Sequence, residues 1–175
     1  VLASMTSVDE GVLKNMGDEA VGVISSGWYT AGIDSAVNQN FVRAINQDYK
    51  ADPGYYTVGA YGAGLMLEEA LKKVNGKIED KDAFMKALRS VIITNDPRGV
   101  IRLDDHGNPV MNDYIRKVER KDGKLVNTVV KIYPLVGQFW TYDAKQFLAQ
   151  PVYTRDNPPA KKSFVKPPAS RTITM

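Results

Sequence analysis

The chain has 175 residues and a mass of 19.4 kDa, which suits one domain of ordinary size or two small ones. Hydrophobic residues make up 43% of the sequence and charged residues 25%, so there is enough apolar material for a core. The lack of cysteine excludes disulfides, thiolate-bound zinc and a cysteine nucleophile from this chain, and a single histidine, His106, excludes a multi-histidine metal centre.

The net charge of +3 comes from the C-terminal end of the chain. Between Gln150 and Met175 there are five basic residues, one acidic residue and five of the nine prolines. This composition predicts an extended strap for residues 150–175 and a nearly neutral folded body before it. Because the body has no stripe of basic and aromatic residues, we do not expect nucleic acid as a partner.

The first predicted elements are a short helix and a short strand. Residues 9–17 are predicted to form a helix, with Asp9 as its N-cap and a glycine at its end. Residues 20–26 form a brief apolar run rich in β-branched residues, which predicts a buried strand that ends at Gly27.

Three helices are predicted next. Apolar residues at helical spacing indicate an amphipathic helix over residues 37–49, which an Asp-Pro-Gly sequence ends. Residues 55–74 predict a second helix that is apolar around most of its circumference, and residues 82–90 a third, capped by Asp80.

Strand signals dominate after these helices. Residues 96–99 predict a turn and residues 100–103 a short strand. Residues 112–120 and 125–136 flank a Lys-Asp-Gly-Lys sequence, which is typical of a β-hairpin. The aromatic residues within 138–150 are expected to dock on the body.

The three helices appear in the sequence without a sheet to cover. Each has an apolar face, yet the predicted strands lie mostly outside the helical block, and such faces must be buried on another layer. We therefore expect the missing sheet to be encoded elsewhere, with a partner fragment or a swapped neighbour covering these faces.

Several short motifs, in this order and spacing, resemble the C-terminal half of a type I periplasmic solute-binding protein of the branched-chain amino acid class (Leu/Ile/Val-binding protein-like) that serves ABC importers. The motifs are residues 13–23, Tyr29, residues 38–41, Tyr49, Pro53, residues 60–61, residues 97–99 and residues 121–123. Residues 140–159 also resemble the added C-terminal strap of some members.

The resemblance implies an α/β fold in which two lobes, each a mostly parallel sheet flanked by helices, close on a ligand. Residues 1–28 would then belong to the C-terminal lobe and residues 29–111, with the three helices, to the N-terminal lobe. Residues 112–136 would return to the C-terminal lobe as a hairpin, and residues 137–175 would form the strap. The N-terminal half of the protein would be the missing partner.

The resemblance also implies ligand contacts just before the first short helix, at Ser4, Met5 and Thr6. Members that bind free α-amino acids carry an acidic residue near that loop, and this sequence has none at the aligned positions. We therefore expect either an amino-acid-like ligand or an aromatic carboxylate, with Trp28 and Tyr29 as further contacts. Core or hinge packing is the alternative role for these two aromatic residues.

Other sites are less well supported by the residues. Asp104, Asp105 and His106 are consecutive turn residues, which rarely converge on a metal, so neither a metal nor a cofactor is expected. Pairing His106 with Ser25 or Ser26 would give a hydrolase only with an oxyanion loop that the sequence lacks, so no catalytic residue is expected. The glycines at 59, 62 and 64 lie within a helix, which favours close packing over phosphate binding.

Two functions remain open from the sequence. The first is the periplasmic solute-binding component of an ABC importer, exported with a signal peptide that is not in this chain and working with a membrane permease. The second is a ligand sensor or regulator built on the same fold. An upstream signal peptide or a neighbouring permease gene would favour the first.

Overall fold

A computed structural model of the chain describes residues 2–156. The chain divides into two compact units, residues 1–137 and residues 138–175. The first unit contains every strand and the three long helices of the described residues.

The first unit begins with short elements. Strand β1 (Leu2–Ser4) runs into a 3-10 turn (Met5–Val8), and helix α1 (Glu10–Leu13) follows, capped as predicted by Asp9. Strand β2 covers Ile24–Gly27 only. The strand predicted over residues 20–26 therefore starts late, because Ala20 ends a second 3-10 turn and Gly22 has a φ of +84°.

The three long helices are confirmed. Helix α2 (Ala36–Tyr49) is capped by Ser35, helix α3 (Tyr55–Lys73) follows a glycine, and helix α4 (Lys81–Arg89) is capped by Asp80.

Four strands complete the unit. They are β3 (Ile92–Asp96), β4 (Gly99–Leu103), β5 (Pro109–Lys121) and β6 (Lys124–Val136). The predicted hairpin is confirmed as β5–β6, and its turn residues Asp122 and Gly123 both have positive φ, which suits the strand twist.

The sheet is mixed and helices flank it. Its strand order is β1-β2-β5-β4-β3. Strand β6 lies off this path and pairs with β5. Among the described strands only β1 and β2 are parallel to each other. This is the predicted α/β fold in a fragment in which antiparallel pairs predominate.

The core consists of three apolar clusters. One surrounds α1 and includes Val8, Leu13 and Val118, and a second, around Tyr29 and Phe41, packs α2 against β5. The third packs α3 and α4 against β3 and β4.

Part of the sheet that the helices need is supplied by this chain itself. Strand β3, which the sequence analysis did not include, packs with β4 beneath α3 and α4. Several apolar side chains on the helices remain exposed all the same: Tyr49, Tyr56, Tyr61, Leu67, Leu71 and Met85.

The glycines of α3 have three different environments. A Cβ at Gly62 would overlap the side chains of Arg98 and Asp96, a Cβ at Gly59 would touch Trp28 at 3.6 Å, and a Cβ at Gly64 would meet nothing within 4 Å. The expected close packing is thus present at Gly62, where the side chains of Arg98 and Asp96 make it.

Within residues 138–156 the second unit has one short helix, α5 (Ala144–Leu148), capped by Asp143. Phe147 lies 5.6 Å from Phe139 and 6.0 Å from Tyr142 between ring centroids. This part of the predicted strap is therefore not extended throughout, and its docking on the body stays a prediction. The tail beyond residue 156 lies outside the described residues.

No helix within residues 2–156 combines the length and the apolar character needed to cross a membrane.

Candidate functional site

The candidate site lies where the parallel strands β1 and β2 end. The Cα atoms of Ser4 and Ser26 are register partners, so the chain leaves both strands at the same edge of the sheet. We call residues 4–7 the β1 loop and residues 28–35 the β2–α2 segment. The edge at which neighbouring parallel strands end is a common place for ligands in α/β folds.

Hydroxyl groups dominate the β1 loop. The Ser4 Oγ lies 2.9 Å from the Thr6 Oγ1 and 3.1 Å from the Ser7 Oγ, and all three residues are exposed. Each hydroxyl can both donate and accept a hydrogen bond. The loop therefore offers an uncharged surface that can bind the polar groups of a ligand.

Met5 anchors the loop on β2. Its side chain is half-buried over Gly27, where an added Cβ would lie 2.5 Å from the Met5 sulfur. Only glycine at position 27 leaves room for this contact.

Trp28 begins the β2–α2 segment and is half-buried. The Tyr55 ring contacts it edge-on at 5.6 Å, and the Arg98 guanidinium lies 5.1 Å from the centre of its ring. These contacts fix one side of the indole by packing and by a cation–π interaction.

Tyr29 is placed differently from the other predicted site residues. Its side chain is wholly buried, its hydroxyl donates a 3.1 Å hydrogen bond to Asn38, and burial raises the pKa of that hydroxyl above its usual range. The structure thus brings Ser4, Met5 and Thr6 together at the end of β1 and places Tyr29 in the core.

The two carboxylates that follow the β1 loop in the sequence are already engaged inside the protein. Asp9 accepts hydrogen bonds from the backbone N–H groups of Gly11 and Tyr55. Glu10 accepts hydrogen bonds from the Thr30 hydroxyl at 2.7 Å and the Ala31 N–H at 3.1 Å, and desolvation raises its pKa. Neither carboxylate adds a negative charge to the exposed surface of the loop.

A carboxylate that the sequence analysis missed lies on β5. Asp113 accepts a 2.5 Å hydrogen bond from the Ser26 hydroxyl, next to the end of β2. Strand alternation could have placed Asp113 and Ile115 on one face of β5 and Tyr114 and Arg116 on the other. It could not have shown that β5 pairs with β2 and so brings Asp113 next to Ser26.

Within residues 2–156 no three histidine, aspartate or glutamate residues group so as to hold a metal ion. Asp104 instead accepts hydrogen bonds from the backbone N–H groups of His106 and Asn108, as expected of a polar turn.

Residues 1–124 match the model of a family described as periplasmic binding protein. The chain is 36% identical to a solute-binding protein of an ABC transporter from Rhodopseudomonas palustris BisB5, solved in complex with 3,4-dihydroxybenzoic acid. The match has a TM-score of 0.74 and covers 78% of this chain and 38% of that chain.

A second solute-binding protein from R. palustris, solved in complex with benzoate, is 28% identical with a TM-score of 0.69 over 79% of this chain and 37% of that chain. No curated protein matches the sequence.

A leucine-, isoleucine-, valine-, threonine- and alanine-binding protein from Brucella ovis matches with a TM-score of 0.61. Its 21% identity, over 73% of this chain and 35% of that chain, shows a shared fold.

Both matches from R. palustris are solute-binding proteins of ABC transporters. The chain belongs to the periplasmic binding protein family, and it spans less than two fifths of the length of the solved relatives.

Proposed function

We propose that this chain is part of the solute-binding component of an ABC importer, and that its ligand is a small aromatic carboxylate. The observation that carries the proposal is the 36% identity to a solute-binding protein that holds 3,4-dihydroxybenzoic acid. The protein would be periplasmic, and its partner would be the membrane permease of the importer.

The chemistry of the β1 loop supports an acid over a free amino acid. An α-amino group needs an acceptor, best a carboxylate, whereas Ser4, Thr6 and Ser7 supply neutral hydroxyls. We propose that Ser4 and Thr6 bind polar groups of the ligand, and that Met5 and Trp28 provide its apolar contact. Tyr29 would support Trp28 from the core.

The mechanism is capture. The rest of the ligand site would come from the part of the protein encoded outside this chain, and closure of the two lobes would exclude water and strengthen each hydrogen bond. The closed state is favoured because the ligand binds it better, and the permease would recognise that state.

Thermal unfolding of the whole protein tests the ligand class. A ligand that binds only the folded state stabilises it by RT ln(1 + [L]/Kd), so 3,4-dihydroxybenzoate and benzoate are expected to raise the melting temperature and leucine is not. A rise with leucine and none with either aromatic acid would contradict the proposal.

Variants then test the residues. Thr6→Val keeps the shape of the side chain and removes its hydroxyl, so affinity for 3,4-dihydroxybenzoate is expected to fall by about tenfold. Thr94→Val, at an exposed threonine on β3, is the matched control and should leave affinity unchanged.

A substitution at Asp113 distinguishes an amino acid ligand from an aromatic acid. An amino acid ligand could place its ammonium group near the Asp113–Ser26 pair, so Asp113→Asn would then abolish binding. For an aromatic acid we expect Asp113→Asn to retain binding, because the variant keeps an oxygen acceptor and removes a negative charge.

The alternative function is a ligand sensor on the same fold, which would bind the ligand equally well. It differs in its partner, so uptake of labelled 3,4-dihydroxybenzoate by cells lacking the gene decides between them. Unchanged uptake would favour the sensor.

A further inference from the structure

One guanidinium group joins three separate parts of the site. Arg116 on β5 donates hydrogen bonds to the Tyr29 carbonyl at 2.7 Å, the Ser25 Oγ at 2.9 Å and the Met5 carbonyl at 3.4 Å. Met5 belongs to the β1 loop and Tyr29 to the β2–α2 segment.

The position of Arg116 follows from the sheet. Tyr114, Arg116 and Val118 alternate along β5 and are all buried, and the Cα of Arg116 is the register partner of Ser25 on β2. The long side chain therefore extends beneath the edge at which β1 and β2 end.

Arg116 is fully buried, yet no described carboxylate accepts a hydrogen bond from it. Desolvation lowers its pKa, while the charges of Glu10, Asp9 and Asp113 act in the opposite direction. A buried charge is costly unless hydrogen-bonded. Here two backbone carbonyls and one hydroxyl accept from its two terminal nitrogens, while its buried Nε has no hydrogen-bond partner among the described residues. The charge is therefore held mainly by the main chain and holds that main chain in place.

The two segments that Arg116 joins carry all of the proposed ligand contacts. Ser4, Met5 and Thr6 lie in the β1 loop, and Trp28 precedes the carbonyl that Arg116 holds. The β2–α2 segment is also fixed by the Thr30 hydroxyl, whose single hydrogen lies between two acceptors, the Glu10 carboxylate at 2.7 Å and the Asn127 carbonyl at 3.1 Å. The position of the main chain at the start of this segment, next to Trp28, depends on the hydrogen bond from Arg116 to the Tyr29 carbonyl.

We propose that Arg116 is a positioning residue that locks the β1 loop and the β2–α2 segment into one rigid unit, so that both face the ligand in a fixed geometry. This inference rests on the proposed function. It implies that weakening Arg116 lowers ligand affinity by more than the accompanying loss of stability explains.

The test uses the whole protein and three variants. Arg116→Lys keeps the charge but cannot reach three acceptors with the same planar fork, and we expect its Kd for 3,4-dihydroxybenzoate to rise by about tenfold. Arg116→Met removes the charge and should raise the Kd further. If Arg116→Met does not fold, Ser25→Ala removes one acceptor and should raise the Kd by a few-fold.

Two controls separate positioning from stability. Val91→Ala opens a cavity in the cluster beneath α3 and α4, which has no member in either segment, so it should lower the melting temperature without changing the Kd. Arg120→Lys alters an exposed arginine on the same strand, paired with Asp18, and should change neither quantity.

Hydrogen exchange gives a readout that does not depend on the ligand. In Arg116→Lys, the amides of residues 5–7 and 29–31 should exchange about tenfold faster, with little change elsewhere. Unchanged exchange in both segments, or the same uniform increase as in Val91→Ala, would overturn the inference. Wild-type protein that binds none of the tested aromatic acids would instead overturn the proposed function.

Discussion

Two arginines are buried in the described residues, and they are held in opposite ways. Arg98, in the turn between β3 and β4, donates two hydrogen bonds from its guanidinium and one from its backbone N–H to Asp96, only two residues away. Arg116 donates to oxygens that lie 87 to 111 residues away in the sequence.

The two arginines therefore have different structural roles. The Arg98–Asp96 pair neutralises its own charge and closes a local turn, which Gly62 of α3 covers closely. Arg116 has no such local partner and instead connects segments that are distant in the sequence. Substitutions near Arg98 should therefore affect stability most and reach the site only through the Trp28 ring that its guanidinium contacts, whereas those at Arg116 should affect the geometry of both segments.

The largest effect is expected at Asp96. Asp96→Ala leaves the Arg98 guanidinium buried without its carboxylate, which should lower the free energy of unfolding by about 3–5 kcal/mol. Urea denaturation of the whole protein measures it. Glu68→Ala is the control, because its ion pair with Lys72 is exposed and should contribute less than about 0.5 kcal/mol. Equal losses in the two variants would show that the buried pair is unimportant.

A smaller effect is expected in the helix that covers this pair. Gly62→Ala forces a Cβ against Arg98 and Asp96, and the strain should cost about 1–3 kcal/mol. Gly64→Ala, in the same helix, meets nothing within 4 Å, so higher helix propensity should stabilise the protein by up to about 1 kcal/mol. A lower melting temperature for Gly62→Ala and a higher one for Gly64→Ala would support the contact between Gly62 and the Arg98–Asp96 pair. Higher melting temperatures for both variants would contradict it.

The contrast between the arginines also explains how much the sequence could predict. The Asp-Pro-Arg-Gly turn, the Asp-Gly hairpin and the caps at Asp9 and Asp80 depend on near neighbours, so local patterns were enough to find them. The resemblance to a known family placed the β1 loop. Strand β3 was missed because Ile92 and Ile93 continue the apolar pattern of the preceding helix.

The partners of Arg116 and the Ser26–Asp113 contact could not be predicted in this way. Alternation with Tyr114 and Val118 put Arg116 on the buried face of β5, but pairing with β2 crosses about 90 residues of intervening chain. Register over such a distance depends on the whole sheet, so no local signal identifies which backbone oxygens the guanidinium holds.

The smallest expected effect concerns Glu10, which accepts hydrogen bonds from Thr30 and Ala31 of the β2–α2 segment. Burial raises the pKa of Glu10 above its ordinary value of 4.5, whereas hydrogen bonds from backbone N–H groups, that of Gly17 first, lower the pKa of exposed Glu19. A raised pKa in an acid contributes stability that is fully present below pH 4.5 and is lost as the pH rises through the folded-state pKa. A lowered pKa contributes stability that is present above pH 4.5 and is lost as the pH falls.

Glu10→Gln and Glu19→Gln should therefore change the pH dependence of stability in opposite directions. Relative to the wild type, Glu10→Gln should become more stable as the pH rises above 4.5, and Glu19→Gln less stable. Free energies of unfolding measured from pH 4 to pH 7 give both slopes. A flat or falling difference for Glu10→Gln would mean that hydrogen bonds from Thr30 and Ala31 outweigh the burial of the carboxylate, and that the β2–α2 segment is held by a fully charged Glu10.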